Sequence, residues 1–181
     1  MLEARFVEAR FVEGAAARAT MSAMADEIAT AAELDAAEAM IDVWLVEQLA
    51  ENPSVAAVER DAPGERRWFV RLRGEQKETF TIWFRLAQRT LHYETYVMPA
   101  PIENHAEFYE HLLRRNLKLY GGAFAIGEED AVFLVGQLGV HALDHGELDR
   151  VLGSIYVWVE QFFRPAMRIG YASVFRDPPP T

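Results

Sequence analysis

The stretch that most constrains the fold runs from Arg66 to Met98, where side chains alternate with the period of two that is typical of β-strands. It contains three runs, Arg66 to Arg73, Thr79 to Leu86 and Thr90 to Met98, which are rich in β-branched and aromatic residues. The connections between these runs are short, and parallel strands would need a long crossover. The stretch therefore predicts an antiparallel meander of three strands.

The alternation also predicts that the meander has two different faces. One face is apolar and must be covered by helices; it carries Trp68, Val70, Leu72, Phe80, Ile82, Phe84 and Leu86. The other face mixes cations with aromatic rings: Arg67, Phe69, Arg71, Arg73, Trp83, Arg85 and Tyr96. Arginine and tryptophan are common anchors of protein interfaces. We therefore predict a partner-binding site made of Arg67, Phe69, Arg71, Trp83 and Arg85.

The alternative interpretation of the second face is a structural one. Antiparallel sheets commonly leave one side in water. In that case the arginines would pair with the carboxylates that are abundant in this chain, which has 28 acidic residues against 18 basic ones.

Two further segments before and after the meander have helical signals. Thr30 followed by Glu33 forms a capping-box pattern that predicts a helix over Ala31 to Glu51, followed by a short strand from Val55 to Arg60. Asn104 is a suitable N-cap for a helix to about Asn116, with an inward stripe formed by Phe108, Tyr109, Leu112 and Leu113.

The remainder of the chain predicts a hairpin and a long helix. The hairpin joins Tyr120 to Ile126 with Ala131 to Leu138, the second run being a candidate for burial on both sides. Asp144 caps the last helix, and Pro165 is expected to end or kink it. The predicted order is α-β-β-β-β-α-β-β-α, with a sheet of five to six strands and three helices, which is typical of an α+β fold.

Length and local composition predict one domain with two extensions. Of the 181 residues, 30–171 form the expected α+β domain. Residues 1–29 repeat the pentapeptide Ala-Arg-Phe-Val-Glu and are expected to be a disordered or loosely helical extension, with Met21 or Met24 as alternative starts. Residues 172–181 are expected to be a flexible, proline-rich tail.

Charge and composition exclude several classes of function. The net charge of −10 and the sequence pI near 5.0 argue against general binding to nucleic acids or anionic membranes. No run reaches the roughly 18 apolar residues of a membrane helix, and the N-terminus lacks a signal-peptide pattern. The absence of cysteine excludes disulfides, thiolate metal sites and a cysteine nucleophile, and it fits a cytoplasmic protein.

The sequence carries no motif for catalysis or for metal binding. His141 and His145 are four residues apart, but they lie at a loop-to-helix junction without an HExxH pattern. No serine lies in a Gly-x-Ser-x-Gly elbow, and Gly121-Gly122 does not lead into a phosphate loop. We therefore predict neither metal nor cofactor, and a protein that is not an enzyme.

Several segments together resemble the YbjN family. They are the helix Glu107 to Asn116, the strand Tyr120 to Ala125, the run Val132 to Leu134 and the helix start Leu143 to Asp149. The resemblance covers roughly residues 31–170. It implies a curved antiparallel sheet backed by helices, similar to type III secretion chaperones, in a dimer that binds extended segments of partner proteins through apolar patches. It brings no catalytic residues.

Two classes of function remain from these observations. The first is a non-enzymatic protein-binding module, chaperone- or adaptor-like, that acts as a homodimer on a protein or peptide partner in the bacterial cytoplasm. The alternative is a single-stranded nucleic-acid binder that uses the same rings and cations as a stacking platform. An enzyme would require a deep pocket with converging ionisable groups.

Overall fold

The computed structural model describes residues 28–62 and 64–175. Within them, three α-helices and six strands follow one another in the predicted order, so the α+β fold class is confirmed. The elements are α1 (Ala31–Glu51), β1 (Val55–Arg60), β2 (Arg67–Arg73), β3 (Thr79–Leu86), β4 (Thr90–Met98), α2 (His105–Asn116), β5 (Gly122–Ile126), β6 (Val132–Gly139) and α3 (His145–Gly170).

The six strands form one open antiparallel sheet in the order β1-β2-β3-β4-β6-β5. The first four strands are a meander, as the alternation predicts. The chain then passes through α2 and returns as the β5–β6 hairpin, and it is β6 that pairs with β4. Consequently β5 lies at one edge of the sheet and β1 at the other.

One face of the sheet, here called the inner face, carries the core. The inward residues of the central strands, among them Val70, Ile82 and Leu91, are completely buried. Helix α1 covers this face through Trp44, whose ring meets Phe84 edge-on with centroids 6.1 Å apart. Helix α3 covers it through a stripe of buried residues that includes Val151, Ile155 and Val159. The predicted apolar face is thus the one that the helices cover.

Helix α1 begins with the predicted capping box. The Thr30 hydroxyl accepts a hydrogen bond from the Glu33 amide at 3.3 Å, and the Glu33 carboxylate accepts one from the Thr30 amide at 2.7 Å. Two buried indoles then connect α1 to its surroundings. Trp44 donates to Asp149 of α3 at 2.8 Å, and Trp68 of β2 donates to Asp42 of α1 at 2.7 Å. These bonds satisfy the polar ends of the two rings.

Two expectations for helix α2 are wrong in detail. Asn104 occupies the N-cap position, but its backbone is left-handed and its side chain donates to the Ile169 carbonyl at 2.9 Å instead of capping the helix. Leu113, expected to face inward, is 63% exposed. Helix α2 lies beside α3 and β5 at the margin of the core, so only a narrow stripe around Phe108 and Leu112 is buried.

Helix α3 begins as predicted and continues past Pro165. The Asp144 carboxylate accepts a hydrogen bond from the Glu147 amide at 2.7 Å, which is the expected N-cap contact. Of the two expected effects of Pro165, an end or a kink, the structure excludes the end, because the helix continues to Gly170. Ala166 and Gly170 are buried in the core beyond the proline, and this packing offsets the hydrogen bond that the proline cannot donate.

The β2–β3 loop is fixed to α3 by one carboxylate. Glu160 accepts hydrogen bonds from three successive backbone amides, those of Glu75 at 2.7 Å, Gln76 at 2.8 Å and Lys77 at 3.2 Å. Hydrogen bonds to a charged group contribute about 1.5–3 kcal/mol each at most, and exposure reduces that value. The loop therefore depends on a single side chain of α3.

Glu160→Ala should release this loop without unfolding the domain. We expect amide hydrogen exchange at Glu75, Gln76 and Lys77 to accelerate at least about tenfold, because local opening then costs less free energy. Exchange measured by mass spectrometry or NMR checks this, with amides of the central strand β3 as the internal control. Unchanged exchange in the loop would show that Glu160 does not hold it.

Candidate protein-binding face

The face of the sheet opposite the helices is here called the outer face. All five predicted site residues lie on it, on the adjacent strands β2 and β3. The register places Arg67 opposite Arg85 and Phe69 opposite Trp83, while Arg71 lies opposite Thr81. The structure therefore brings the five residues together on one surface.

Aromatic rings form the centre of the outer face. Phe69 and Trp83 meet edge-on with centroids 5.6 Å apart, and Tyr96 meets Phe133 in the same way at 5.7 Å. Trp83 is 54% exposed and Tyr96 is 44% exposed. Rings that are both exposed and packed against each other are pre-organised for contact with a partner, because little side-chain entropy remains to be lost on binding.

Trp83 separates two shallow depressions in this surface. One, of about 310 Å³, is lined mainly by Trp83, Glu94, Tyr96 and Phe133. The other, of about 300 Å³, lies on the opposite side of the indole and is lined by Glu59, Phe69, Arg71, Thr81 and Trp83. The indole is therefore a ridge with a groove on each side.

The arginines of the face differ in their partners. Arg67 pairs with Asp61 at 3.0 Å and with Glu65 at 3.4 Å, and Arg71 lies 3.8 Å from Glu59. These two arginines behave as the structural alternative predicts. Within residues 28–62 and 64–175, no carboxylate lies within ion-pair distance of Arg85. Arg85 lies directly opposite Arg67, an unfavourable pairing of like charges that an incoming anionic group would relieve.

The other half of the outer face is acidic, and sequence reasoning missed it. Glu94 of β4 is exposed opposite Trp83, and together with Glu128 and Glu129 it lines a depression that also includes Phe133 and Val135. Phe133 and Val135 are half-buried on this face, so β6 is not sealed on both sides as the sequence allowed. Burial, followed by the nearby Arg85, lowers the pKa of His92, so this imidazole is neutral at pH 7.

Lys77 lies at the end of the groove that contains Tyr96. Its ammonium donates to the carbonyls of Tyr96 at 2.6 Å and Val97 at 2.7 Å, and it lies 4.8 Å from the centre of the Tyr96 ring. Burial lowers the pKa of Lys77 from 10.5 to about 8. Lys77 thus holds the end of β4 and the ring that borders the groove.

We expect Lys77 to titrate near pH 8 in the folded protein. The chain has two lysines, so reductive ¹³C-methylation gives a resolvable NMR signal for Lys77, with the exposed Lys118 as the reference. Because the unfolded state binds more protons between pH 8 and 10.5, the contribution of Lys77 to stability rises with pH across that window. A Lys77 signal that titrates near the ordinary lysine pKa of 10.5 would contradict this assignment.

A second apolar surface lies at the β5 edge. Tyr109, Leu112 and Leu113 of α2 and Ile126 of β5 border a crevice of about 290 Å³ that has almost no polar lining. Beside it, the Asn116 side chain accepts from the Phe124 amide at 2.8 Å and donates to the Phe124 carbonyl at 3.2 Å. Asn116 thereby occupies the backbone groups to which a further strand would bind, which protects the edge from pairing.

The histidines that the sequence singled out lie apart from the outer face. His141 lies 3.9 Å from Glu33, and His145 lies 3.5 Å from Glu47. Each therefore faces a different carboxylate of the α1 region. Among the residues that the structure describes, no group of three or more histidine and acidic side chains is arranged to hold a metal ion.

The helices of the described part of the chain also bear on membrane association. None of them combines the length and the apolar character that crossing a bilayer requires. The terminal segments 1–27 and 176–181 lie outside the described residues, and with them most of the predicted extension over 1–29 and the last six residues of the predicted tail over 172–181.

Known proteins resemble this chain over more than half of its length. A protein of Mycobacterium bovis and one of Mycobacterium tuberculosis, both named only as uncharacterized, are each 35% identical over 104 residues, which is 58% of this chain and 57% of each relative. An uncharacterized protein of Mycobacterium leprae is 31% identical over 110 residues, 61% of this chain and 60% of the relative. The match thus spans less than two thirds of these curated relatives.

A family model extends the comparison beyond single relatives. It matches residues 42–166 and carries the description "Putative bacterial sensory transduction regulator". The matched region begins inside α1, includes all six strands and ends near the end of α3. It contains all four segments that carry the resemblance to the YbjN family, and it confirms that resemblance. The chain belongs to the YbjN family.

Proposed function

We propose that the chain is a non-enzymatic protein-binding module with a regulator- or adaptor-like role, that it acts as a homodimer in the bacterial cytoplasm, and that Arg67, Phe69, Arg71, Trp83 and Arg85 form its binding surface. The observation that carries the proposal is the exposed indole of Trp83, packed edge-on against Phe69 and flanked by Arg71 and Arg85. Tryptophan and arginine dominate the binding energy of protein interfaces.

The shape and chemistry of the face support a macromolecular partner. The depressions beside Trp83 are shallow and open, and they lie on a broad surface of strands. Small-molecule sites are usually concave and enclose most of their ligand. The titratable side chains Glu94 and His92 lie on this open surface and do not converge in a cleft. The family description, a regulator, agrees with a role in binding another protein.

Charge reversal of the arginines tests the proposal. The tagged full chain is used to capture proteins from a lysate of the source bacterium, in parallel with Arg71→Glu/Arg85→Glu. We expect the double variant to lose the specifically captured protein at least about tenfold, because charge reversal at an interface costs several kcal/mol. Arg114→Glu, on the exposed side of α2 and paired with Glu110 in the same helix, is the matched control. Equal capture by all three chains would show that the outer face is not the binding surface.

Single-stranded nucleic acid is a second candidate partner for the same face. Arg85, which no described carboxylate neutralises, lies beside the exposed Trp83, and together they offer a cation and a stacking ring. The net charge of −10 and the neighbouring Glu94 oppose it. Fluorescence anisotropy with a labelled oligonucleotide decides: binding at low salt that falls steeply as salt rises supports this alternative, and the absence of binding at low salt eliminates it.

A further inference from the structure

Lys77 lies at the end of the groove between Trp83 and Tyr96, where backbone carbonyls and aromatic rings surround its side chain. Its ammonium donates to the carbonyls of Tyr96 at 2.6 Å and Val97 at 2.7 Å. It also lies 4.8 Å from the centre of the Tyr96 ring and 5.7 Å from that of Phe163. In the described part of the chain, no carboxylate lies within ion-pair distance of this ammonium. The fold therefore holds an amine without a counter-ion beside an open groove.

The loop that carries Lys77 is closely fixed to helix α3. The Glu160 carboxylate accepts the Lys77 backbone amide at 3.2 Å, together with the two amides before it. The loop packs so tightly there that a Cβ atom added to Gly74 would lie 2.3 Å from a Glu160 carboxylate oxygen. Because the far end of the side chain is held by the carbonyls of β4, the amine keeps one position beside the groove in the folded chain.

We propose that Lys77 is a site of covalent acylation, at which a neutral acyl thioester transfers its acyl group to the side-chain amine. The nitrogen lone pair attacks the thioester carbonyl carbon, and the carbon–sulfur bond breaks. Sulfur leaves with the bonding electrons and takes up, through solvent, the proton that the nitrogen releases. The products are an amide on Lys77 and a free thiol, and no atom is oxidised or reduced. The modification does not require the outer face to bind a protein.

The contacts of Lys77 suit the neutral amine that must attack. A lysine ammonium has three N–H donors, and two carbonyls accept from this one. Loss of one proton leaves two N–H groups for the two carbonyls and a lone pair in the third position. Burial of the amine lowers the pKa of Lys77 from 10.5 to about 8. The nucleophilic form therefore arises near neutral pH without loss of either hydrogen bond.

The groove favours a small and uncharged acyl donor. Its volume is about 310 Å³, and its walls include the rings of Phe80, Trp83, Tyr96 and Phe133. Glu94 also lines the groove, and the chain has a net charge of −10, so both oppose anionic donors such as acyl phosphates. A short acyl group on a neutral thioester meets apolar walls and no charge repulsion.

The composition of the chain makes the reaction selective. The chain has no cysteine, so no thiol competes for the thioester. It has two lysines, Lys77 and Lys118, and Lys118 is exposed just beyond helix α2. Lys118 is therefore an internal reference for the reactivity of Lys77 in the same sample.

Acylation would loosen the end of β4. The amide nitrogen of an acylated lysine carries one hydrogen and no charge, so at most one of the two carbonyls keeps its hydrogen bond. The contact between the cation and the Tyr96 ring is also lost. Because Tyr96 borders the groove, the modification changes both the charge and the shape of this part of the outer face.

Competitive acylation tests the proposal. The full chain is treated with the neutral thioester S-acetyl-N-acetylcysteamine at pH 7.5, and acetylation of each lysine is followed by mass spectrometry after proteolysis. At this pH an amine with a pKa of about 8 is about one quarter neutral, against about one part in a thousand for an unperturbed lysine. Partial burial and weaker basicity reduce this advantage, and we expect Lys77 to react at least about tenfold faster than Lys118.

The pH profile and a second readout follow the same site. The acetylation rate at Lys77 should rise with pH to a plateau, with a midpoint near pH 8. The titratable side chains on neighbouring elements are Glu160 of α3 and Glu94 and Tyr96 of β4. Acetylation of Lys77 should also accelerate amide hydrogen exchange at the end of β4, whereas Lys77→Arg should leave the rate at Lys118 unchanged.

Unfolding the chain is the control. In concentrated urea the groove is lost, so the rates at Lys77 and Lys118 should converge. A rate at Lys77 that is no faster than at Lys118 in the folded chain would overturn the proposal. A difference between the lysines that persists in urea would also overturn it, because the neighbouring sequence and not the groove would then set the reactivity. Capture of a protein by the outer face enters neither measurement, so the proposed function is tested separately.

Discussion

Trp68→Ala is expected to lower the free energy of unfolding by about 3–5 kcal/mol, whereas Trp83→Ala should lower it by no more than about 1.5 kcal/mol. The two tryptophans lie on adjacent strands and point to opposite faces. Trp68 is 1% exposed, and its indole donates to Asp42 of α1 at 2.7 Å, so its removal leaves a cavity and an unpaired carboxylate oxygen. Trp83→Ala removes mainly the edge-on contact between Trp83 and Phe69.

Urea denaturation, monitored by circular dichroism, measures the free energy of unfolding of both variants. Binding assays on the same samples measure their capture of the partner. Trp83→Ala should lose capture of the partner while it keeps its fold, and Trp68→Ala should be destabilised while any folded fraction still binds. If Trp83→Ala were the more destabilised of the two, the assignment of inner and outer faces would be reversed.

Gly136→Ala is expected to destabilise the protein by about 3 kcal/mol, because an added methyl group overpacks a site that has no room for it. Gly136 of β6 lies against the ring of Tyr93. A Cβ atom there would lie 2.3 Å from Tyr93 Cε2 and 2.4 Å from the carbonyl oxygen of Gly121. That carbonyl also accepts the Tyr93 hydroxyl at 2.6 Å. The ring and the backbone at Gly121, directly before β5, would both have to move.

The same substitution at Gly153 is the matched control. Gly153 lies in the exposed part of α3, and a Cβ atom there would meet nothing within 4 Å. Alanine is favoured over glycine in helices by about 0.8–1 kcal/mol, so Gly153→Ala should be stabilising. A melting temperature that falls in Gly136→Ala and rises in Gly153→Ala would confirm the close approach of Tyr93 to β6. Equal changes in the two melting temperatures would contradict it.

Much of the fold could be predicted because local alternation decides which side chains are buried. In β2 and β3 every second residue is apolar, and the structure buries that set, from Trp68 to Leu86. The starts of α1 and α3 could be predicted from their capping residues for a similar reason. A capping side-chain oxygen accepts a hydrogen bond from a backbone amide only a few residues away in the sequence.

The errors occur where tertiary packing overrides a local rule. Asparagine is a residue type that often caps helices, but the side-chain amide of Asn104 donates to the Ile169 carbonyl at the end of α3. Pro165 was expected to end or kink helix α3, and buried residues beyond it keep the last turns of the helix in place, so it does not end there. Neither contact can be read from the residues near it in sequence.

The shared face of the candidate site residues could be predicted in part for the same reason. Phe69, Trp83 and the arginines follow from the alternation of two consecutive strands. Glu94 lies opposite Trp83 through the β3–β4 pairing of the same meander, whereas Phe133 joins them only because β6 pairs with β4, a pairing over a long sequence separation. The position of Phe133 beside Tyr96 is a consequence of strand order, and strand order is not encoded in any single segment.

The central claim is that the outer face is covered when the protein is assembled and open when it is not. The chain has no cysteine, so Thr81→Cys places a single thiol beside Trp83, and Val157→Cys places one on the exposed side of α3. Labelling of both with a bulky maleimide is measured in dilute chain and in the assembled state. The account predicts that assembly slows the labelling of Thr81→Cys at least about tenfold and leaves the labelling rate of Val157→Cys unchanged. The reason is that a bound partner excludes solvent from the centre of its interface. Equal labelling of Thr81→Cys in both states would contradict it.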